Sequence, residues 1–310
     1  MTKPSKTVVF FGNERLATGV STTVPILRSI INDGYEVKAV VANHEISQSR
    51  NTRQLEIAGV AKDNQLPLLL PKKLSEILDR LHSLNAEIGI LVAYGKIIPQ
   101  VVIDLFPLGI INVHPSLLPR HRGPTPIESA ILDGDEKTGV SIMQLAAQMD
   151  SGAVYAQAEY QLTGNESKQS LADSLGEIGR AMLIDLLPGI MDRSLVALPQ
   201  DNEAATYDRL LIKDDGVIDW SKPAVVLERE VRAFINWPKS RARIGNIEAV
   251  ITGSTVVDRD LPVGKINIEG KSILVGTGQR SLAITSLKPS GKPEMSIEAF
   301  LAGYAKSILI

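Results

Sequence analysis

Short apolar runs with no polar alternation recur through the first 190 residues: Thr7–Phe11, Val37–Val41, Leu66–Leu70, Ile88–Ala93 and Gly109–Val113. A strand with one wet face alternates apolar and polar residues, whereas a strand buried on both faces does not. These runs therefore predict strands of a parallel sheet joined by crossover helices, the doubly wound α/β pattern. Punctuation agrees, with Gly12, Asp33-Gly34, Pro71 and Tyr94-Gly95 falling between runs. Val140–Leu145 and Val154–Leu162 follow, and Asp150-Ser151-Gly152 between them suggests a hairpin or a loop joining neighbouring strands. Leu171, Leu175, Ile178, Met182 and Leu186 then step by three and four, as on one helix face, up to a stop expected at Pro188-Gly189.

The pattern changes beyond residue 193. Residues 194–208 are polar in the middle, at Gln200-Asp201-Asn202-Glu203, and predict a linker. A helix-like stretch at Val225–Phe234 precedes short strand-like runs at Ala249–Thr252, Thr255–Val257, Lys265–Ile268, Ser272–Val275 and Leu282–Leu287. Closely spaced short strands suggest a small β-barrel, with an oligonucleotide-binding (OB-like) barrel as one option. A last helix is expected over Ile297–Tyr304 with Ser296 as its N-cap. The expected organisation is a domain over 1–193, a linker over 194–208 and a C-terminal β-barrel domain over 209–310.

Composition narrows the function classes. A chain of 310 residues, 44% hydrophobic and 22% charged, reads as about two globular domains. No apolar run reaches the roughly 18–20 residues of a membrane span, so no membrane partner is expected. Met1–Lys6 is polar and leads straight into a strand, which reads as no signal peptide. The absence of cysteine excludes disulfides, thiolate catalysis and cysteine-ligated zinc, and suits a cytoplasmic location. Residues 1–206 hold 18 Lys and Arg against 23 Asp and Glu, while residues 207–310 hold 15 against 12. A mildly basic second half can meet a polyanion through a local patch.

Gly12-Asn13-Glu14-Arg15 follows the first strand in place of a GxGxxG fingerprint, and there is no Walker loop. His44, His82, His114 and His121 form no metal-binding spacing, so no metal is expected. The informative segment is INVHPSLLPRHRGPTP, residues 111–126. Asn112 and His114, two apart on a strand, point to one face at its carboxyl end, where α/β sheets bind ligands. An amide donor can hold a developing oxyanion and an imidazole can move a proton. Residue types alone favour a plainer reading, a capped strand end with a hydrogen-bonded histidine. The loop Ser116-Leu117-Leu118-Pro119 is rigidified by proline, which suits either a flat heterocycle or a simple connector. Asp150 acquires a role only if its loop reaches His114.

From Leu91 to Gly152 the chain, with AYGKIIP, INVHPSLLPRHRG, GDEKTGVSIMQL and MDSG, resembles the formyltetrahydrofolate-dependent formyltransferase family. That resemblance implies a Rossmann-like fold, catalytic roles for Asn112, His114 and Asp150, and a folate wall at Ser116, Leu117, Leu118 and Pro119. It implies 10-formyltetrahydrofolate as co-substrate. The later Asp219-Trp220, Val231–Phe234, Trp237-Pro238 and Ser290–Ser296 resemble the second domain of the members that act on methionyl-tRNA, implying initiator methionyl-tRNA as partner, with a monomer expected. An amino-sugar or other small-amine acceptor is the alternative. The tRNA contacts implied are Trp237, Lys239, Arg241 and Arg243, with Arg50 and Arg53 in the loop after the second strand. That loop, Asn43–Gln54, is shorter than the family's usual basic insertion. Two further departures are Phe11–Ala17, where the family reads close to FGTPxFA, and Asn236, where it has proline.

Overall fold

The computed structural model describes residues 6–43 and 55–308. In chain order the first elements are β1 (Thr7–Gly12), α1 (Pro25–Asn32), β2 (Glu36–Val41), α2 (Glu56–Asp63), β3 (Leu68–Leu69), α3 (Leu78–Ser83) and β4 (Ile88–Val92). Next come α4 (Gln100–Ile103), β5 (Ile110–His114), α5 (Pro126–Asp133), β6 (Lys137–Gln144), β7 (Val154–Gln161) and α6 (Lys168–Met191). The last are α7 (Ala224–Ala233), β8 (Ser240–Ile244), β9 (Ile247–Val257), β10 (Ile266–Glu269), β11 (Ser272–Gly276), β12 (Ser281–Pro289), β13 (Met295–Ser296) and α8 (Ile297–Ile308).

Two compact units result. The first comprises Met1–Ile127, Glu136–Leu162 and Ser170–Arg209, and the second Glu128–Asp135, Thr163–Gln169 and Leu210–Ile310. The sheet of the first unit has the order β3-β2-β1-β4-β5-β6-β7. Its strands are parallel from β3 to β5, and β6 and β7 run antiparallel as a hairpin. The unalternating runs are indeed buried on both faces, since every residue of β1, β4 and β5 is buried. Each fully buried Val, Leu or Ile side chain contributes about 1.5–3 kcal/mol relative to exposure. Strand order reverses between β1 and β4, which makes the carboxyl ends of these strands the crevice where such sheets take ligands. The second unit holds a six-stranded antiparallel sheet, β10-β11-β12-β9-β8 with β13 added to β12, packed around Leu227, Val231, Ile251, Ile284, Leu287 and Phe300.

Four readings of the sequence change. Helix α6 runs through Pro188 to Met191, beyond the expected stop. Proline sacrifices one helical N–H, yet the Pro188 carbonyl still accepts from the Asp192 N–H at 3.0 Å, so the last turn closes. The runs Ala249–Thr252 and Thr255–Val257 are one strand, β9, because the small Gly253 and Ser254 between them stay in the ladder with β12. Strand β8, outside the strand-like runs expected from the sequence, is an edge strand that alternates buried Ser240, Ala242 and Ile244 with Arg241 and Arg243. Residues 194–208, read as a linker, lie within the first unit. The N-cap at Ser296 is formed, with its hydroxyl accepting the Ala299 N–H at 3.3 Å.

Helix α6 packs on the face of β5 opposite Asn112, and at Gly179 a Cβ would stand 2.6 Å from Val113 Cγ1. Gly179→Ala should therefore destabilise by about 1–3 kcal/mol through overpacking. Gly176→Ala, whose Cβ would meet nothing nearer than Leu16 Cδ1 at 3.8 Å, should gain up to about 1 kcal/mol of helix propensity. Urea denaturation of the two variants measures both, and equal effects would refute the packing account.

Candidate active site

Strand β5 delivers Asn112 and His114 to one face of the sheet at its carboxyl end. Register places Asn112 between Leu91 and Met143, and Leu91 beside Phe11, so an amide interrupts an otherwise apolar row. Phe11 in that row packs edge-on against Tyr94 and Phe106. Asn112 is 6% and His114 4% exposed. The β6–β7 connection carries Asp150, in a left-handed backbone conformation with φ 47°, back to this pair. Asp150 Oδ2 lies 3.8 Å from His114 Nδ1 and accepts the Gly123 N–H at 2.8 Å. Asp150 Oδ1 accepts from Asn112 Nδ2 at 3.5 Å. The three residues separated in sequence thus meet as amide, imidazole and carboxylate.

Hydrogen bonding orders the imidazole. His114 Nε2 lies 2.9 Å from the carbonyl oxygen of His121, an acceptor, so Nε2 carries a hydrogen and Nδ1 is the nitrogen that faces Asp150. The Ser116–Gly123 loop that supplies this carbonyl is internally knotted. Ser116 Oγ, fully buried, donates to the Arg120 carbonyl at 2.7 Å. Ser141 Oγ donates to the Ser116 carbonyl and accepts the Leu118 N–H, while Gln157 Nε2 donates to the Leu118 carbonyl. Ser116 and Leu118 are therefore buried parts of the loop's framework, whereas Leu117 and Pro119 are half-buried. Ile97, 83% exposed, lies in the loop following β4 and adds apolar surface at the same end of the sheet.

The segment read as a linker is a strap over this loop. Residues 206–209 lie beside 119–125, with Thr206 N–H donating to Pro119, Arg122 N–H to Thr206, and Asp208 N–H to Arg122. Gly123 has φ 121°, and a Cβ there would stand 2.6 Å from the Asp208 carbonyl oxygen, so only glycine allows the approach. Arg122 is 1% exposed, and its guanidinium donates to Gln200 Oε1, Asn202 Oδ1 and the Tyr207 hydroxyl. Neither Arg122 nor the strap was picked out as functional from sequence.

A second missed residue is Glu14, in the departing segment after β1. Its carboxyl is buried and accepts the Ile26 and Leu27 N–H groups at 2.9 and 2.7 Å, at the start of α1. Burial pushes it up to about 7, against the pull of those two donors. It lines a cavity of about 250 Å³ at the β1–β4 crossover, together with Leu16, Val92, Asp173 and Glu177.

Among the expected tRNA contacts, Arg50 and Arg53 lie outside the described residues. Trp237 is 37% exposed, with its carbonyl held by the buried Lys168 ammonium at 2.7 Å, an ion-pair partner of Glu128. Lys239 is exposed, with φ 74°. Arg241 and Arg243 share the outer face of β8, but Arg241 donates to the Lys213 carbonyl and lies 3.9 Å from Asp214. Arg243 is exposed, opposite Glu248 on β9.

A doubly wound sheet presenting amide, imidazole and carboxylate at its strand ends has the framework on which α/β enzymes place their ligand sites. The comparisons make the class specific. Residues 16–187 match the formyl transferase family and residues 210–305 match the formyl transferase C-terminal domain, so the chain belongs to the formyl transferase family. It is 35% identical over 306 residues to the methionyl-tRNA formyltransferase of Chloroflexus aggregans, covering 96% of each chain. With that of Pseudoalteromonas translucida it shares 34% identity over 286 residues, covering 89% of each. Among solved structures, HypX from Aquifex aeolicus in complex with tetrahydrofolic acid has a similar fold, with TM-score 0.68 at 14% identity, covering 99% of this chain and 48% of that one. An N-formyltransferase from Helicobacter canadensis, with folinic acid and dTDP-3-aminofucose, has TM-score 0.68 at 16% identity, covering 90% of this chain and 98% of that one.

The raised Glu14 carboxyl has a stability consequence with a definite sign. The folded state holds this proton up to about pH 7, while the unfolded chain releases it near 4.5. Stabilisation from Glu14 protonation is complete below the unfolded value and is lost as pH rises through about 7. Thermal melts from pH 5 to 8 should show this decline in the parent chain and a flatter dependence in Glu14→Gln. Identical slopes would show that Glu14 titrates normally.

Proposed function

We propose that this chain transfers the formyl group of 10-formyltetrahydrofolate to the α-amino group of initiator methionyl-tRNA, using Asn112, His114 and Asp150. The observation that carries the site assignment is the convergence of these three side chains at the carboxyl end of β5. The acceptor assignment is supported by likeness, over nearly the whole chain, to methionyl-tRNA formyltransferases. Among the described residues no helix is long and apolar enough to cross a membrane. The reading is of a cytoplasmic monomer serving translation initiation.

The chemistry follows from the donors on hand. An α-amine, with an ordinary pKa near roughly 7.7–8, needs little help to become a nucleophile. Its lone pair attacks the formyl carbon, and the carbonyl electrons move onto oxygen. Asn112 Nδ2 has two hydrogens and spends one toward Asp150, so the second is available to that oxyanion. His114 Nε2–H is committed to the His121 carbonyl, which leaves Nδ1, facing Asp150, as the proton-handling nitrogen. The amine proton passes to the Asp150–His114 pair, the carbon–nitrogen bond to the folate breaks, and the folate nitrogen regains a proton. Leu117, Pro119 and Ile97 supply apolar surface for a flat pterin, while Ser116 and Leu118 act from behind as the loop's framework.

The second unit is read as the tRNA platform, with Trp237, Lys239 and Arg243 as its exposed contacts and Arg241 tied to its own neighbours. Arg50 and Arg53 are read as acceptor-stem contacts.

Incubation with labelled 10-formyltetrahydrofolate and charged methionyl-tRNA should give a formylated product. A nucleotide-linked amino sugar should give none, and preference for that sugar would overturn the acceptor assignment. Asn112→Ala should lower kcat by about 100–1,000-fold, and His114→Ala and Asp150→Ala should be similarly impaired. Near-normal turnover in these variants would sink the catalytic assignment.

Arg243→Glu should raise KM for methionyl-tRNA and reduce its salt slope by about one unit, because each lost phosphate contact releases fewer counterions. Its folate KM should stay unchanged. A salt series showing no difference would remove β8 from the tRNA surface.

A further inference from the structure

The three catalytic candidates are not held by their own strands alone. Asp150 stands in a left-handed backbone conformation, at the tip of a connection that must be tethered for its carboxylate to reach β5. Besides the contact with Asn112, two tethers come from outside the trio. One is the Gly123 N–H on the carboxylate. The other comes from Gln200, whose Nε2 donates to the Asp150 and Gly152 carbonyls, both at 2.7 Å. The Oε1 of the same carboxamide accepts Arg122 Nε at 3.1 Å and Nη2 at 2.8 Å.

A carboxamide has a donor end and an acceptor end, and here both are filled by groups that flank the site. Arg122 precedes Gly123 in sequence, so a buried guanidinium reaches the Asp150 loop through Gln200 while its chain neighbour grips the carboxylate directly. His121, on the other side of Arg122, provides the carbonyl that orients His114.

We propose that Gln200 is a positioning residue for formyl transfer: it transmits the fixed position of Arg122 to the Asp150 loop, and so sets the carboxylate against His114. This rests on the reading of Asn112, His114 and Asp150 as the transfer site. The hydrogen bonds of the Gln200 side chain go to backbone carbonyls and to Arg122 and to none of the three side chains, so it acts through those groups.

Gln200→Glu separates the two ends of the device. A carboxylate still accepts from Arg122, but it cannot donate to the Asp150 and Gly152 carbonyls. Asn202→Asp is the control, because it places the same charge on another Arg122 partner, bound at 2.7 Å, and leaves the Asp150 loop untouched. In the full chain, Q200E should lower kcat by between about tenfold and a hundredfold, the scale of a misplacement near 1 Å. Both KM values and the melting temperature should stay close to those of the parent, and N202D should keep kcat near that of the parent. The ¹⁵N signals of the His114 ring at one fixed pH, assigned with His114→Gln, should move in Q200E and stay put in N202D. If Q200E does not fold, Gln200→Asn, one methylene too short for both contacts, takes its place with the same expectations.

Unchanged kcat in Q200E overturns the proposal. So does a fall in kcat with unmoved His114 signals, or a parallel loss in both charge variants. Should the parent chain fail to formylate methionyl-tRNA, the acceptor reading falls by itself. The His114 signals then still decide whether Gln200 holds the Asp150 loop.

Discussion

A guanidinium taken out of water must find acceptors for its N–H donors, and Arg122 makes four such hydrogen bonds to the strap. A buried charge that loses its partners costs several kcal/mol, so the contacts with Gln200, Asn202 and Tyr207 make docking of residues 200–207 a condition for burying Arg122 at all. Arg122 also lies in the loop that runs from β5 to α5, between the carbonyl that holds His114 and the N–H that holds Asp150. One buried cation therefore links the geometry of the strand end, the hairpin tip and the strap. Stability and site geometry share the same contacts here, which is the usual state of a preorganised electrostatic site.

The scaffold around that cation was legible to different degrees. Strands β1 and β4 are unalternating apolar runs, and burial on both faces is the physical reason such runs exist. Strand β8 was obscured because its outward residues are Arg241 and Arg243, and its inward Ser240 and Ala242 are too small to sound a hydrophobic period. Helix α6 outran its expected stop because a proline in the last turn forfeits little. The break expected inside β9 failed similarly, since Gly253 and Ser254 keep their ladder pairing although their side chains carry no strand signal.

The site divides along the same line. That Asn112 and His114 share a face was readable because a strand's period of two is rigid, whereas the resemblance supplied the role expected of them and their partner Asp150. The strap was not readable, because a run such as Gln200-Asp201-Asn202-Glu203 has the composition of a solvated connector. Polarity in sequence records only the capacity for hydrogen bonds, and whether water or Arg122 fills that capacity is decided by tertiary structure. Glu14 escaped for the opposite reason. It is a charged residue after a strand, ordinary in a loop, and only its burial against the α1 amides makes it unusual.

Within the proposed mechanism, the hydrogen-bond assignments constrain how the work is divided. With Nε2–H of His114 donated to a carbonyl, a proton arriving at Nδ1 produces an imidazolium whose new N–H faces Asp150 Oδ2. Asp150, already accepting from Gly123 and Asn112, is best matched to that imidazolium as a carboxylate. The charge created by moving the amine proton onto the ring is then met by a negative partner fixed beforehand, with no reorganisation of the loop. Asn112 is left to face the oxygen, because its remaining N–H is the donor of the three that the network does not consume. In this proposal the amide serves the developing negative charge and the imidazole–carboxylate pair serves the proton, a separation of roles that requires the Asp150 loop to stay tethered.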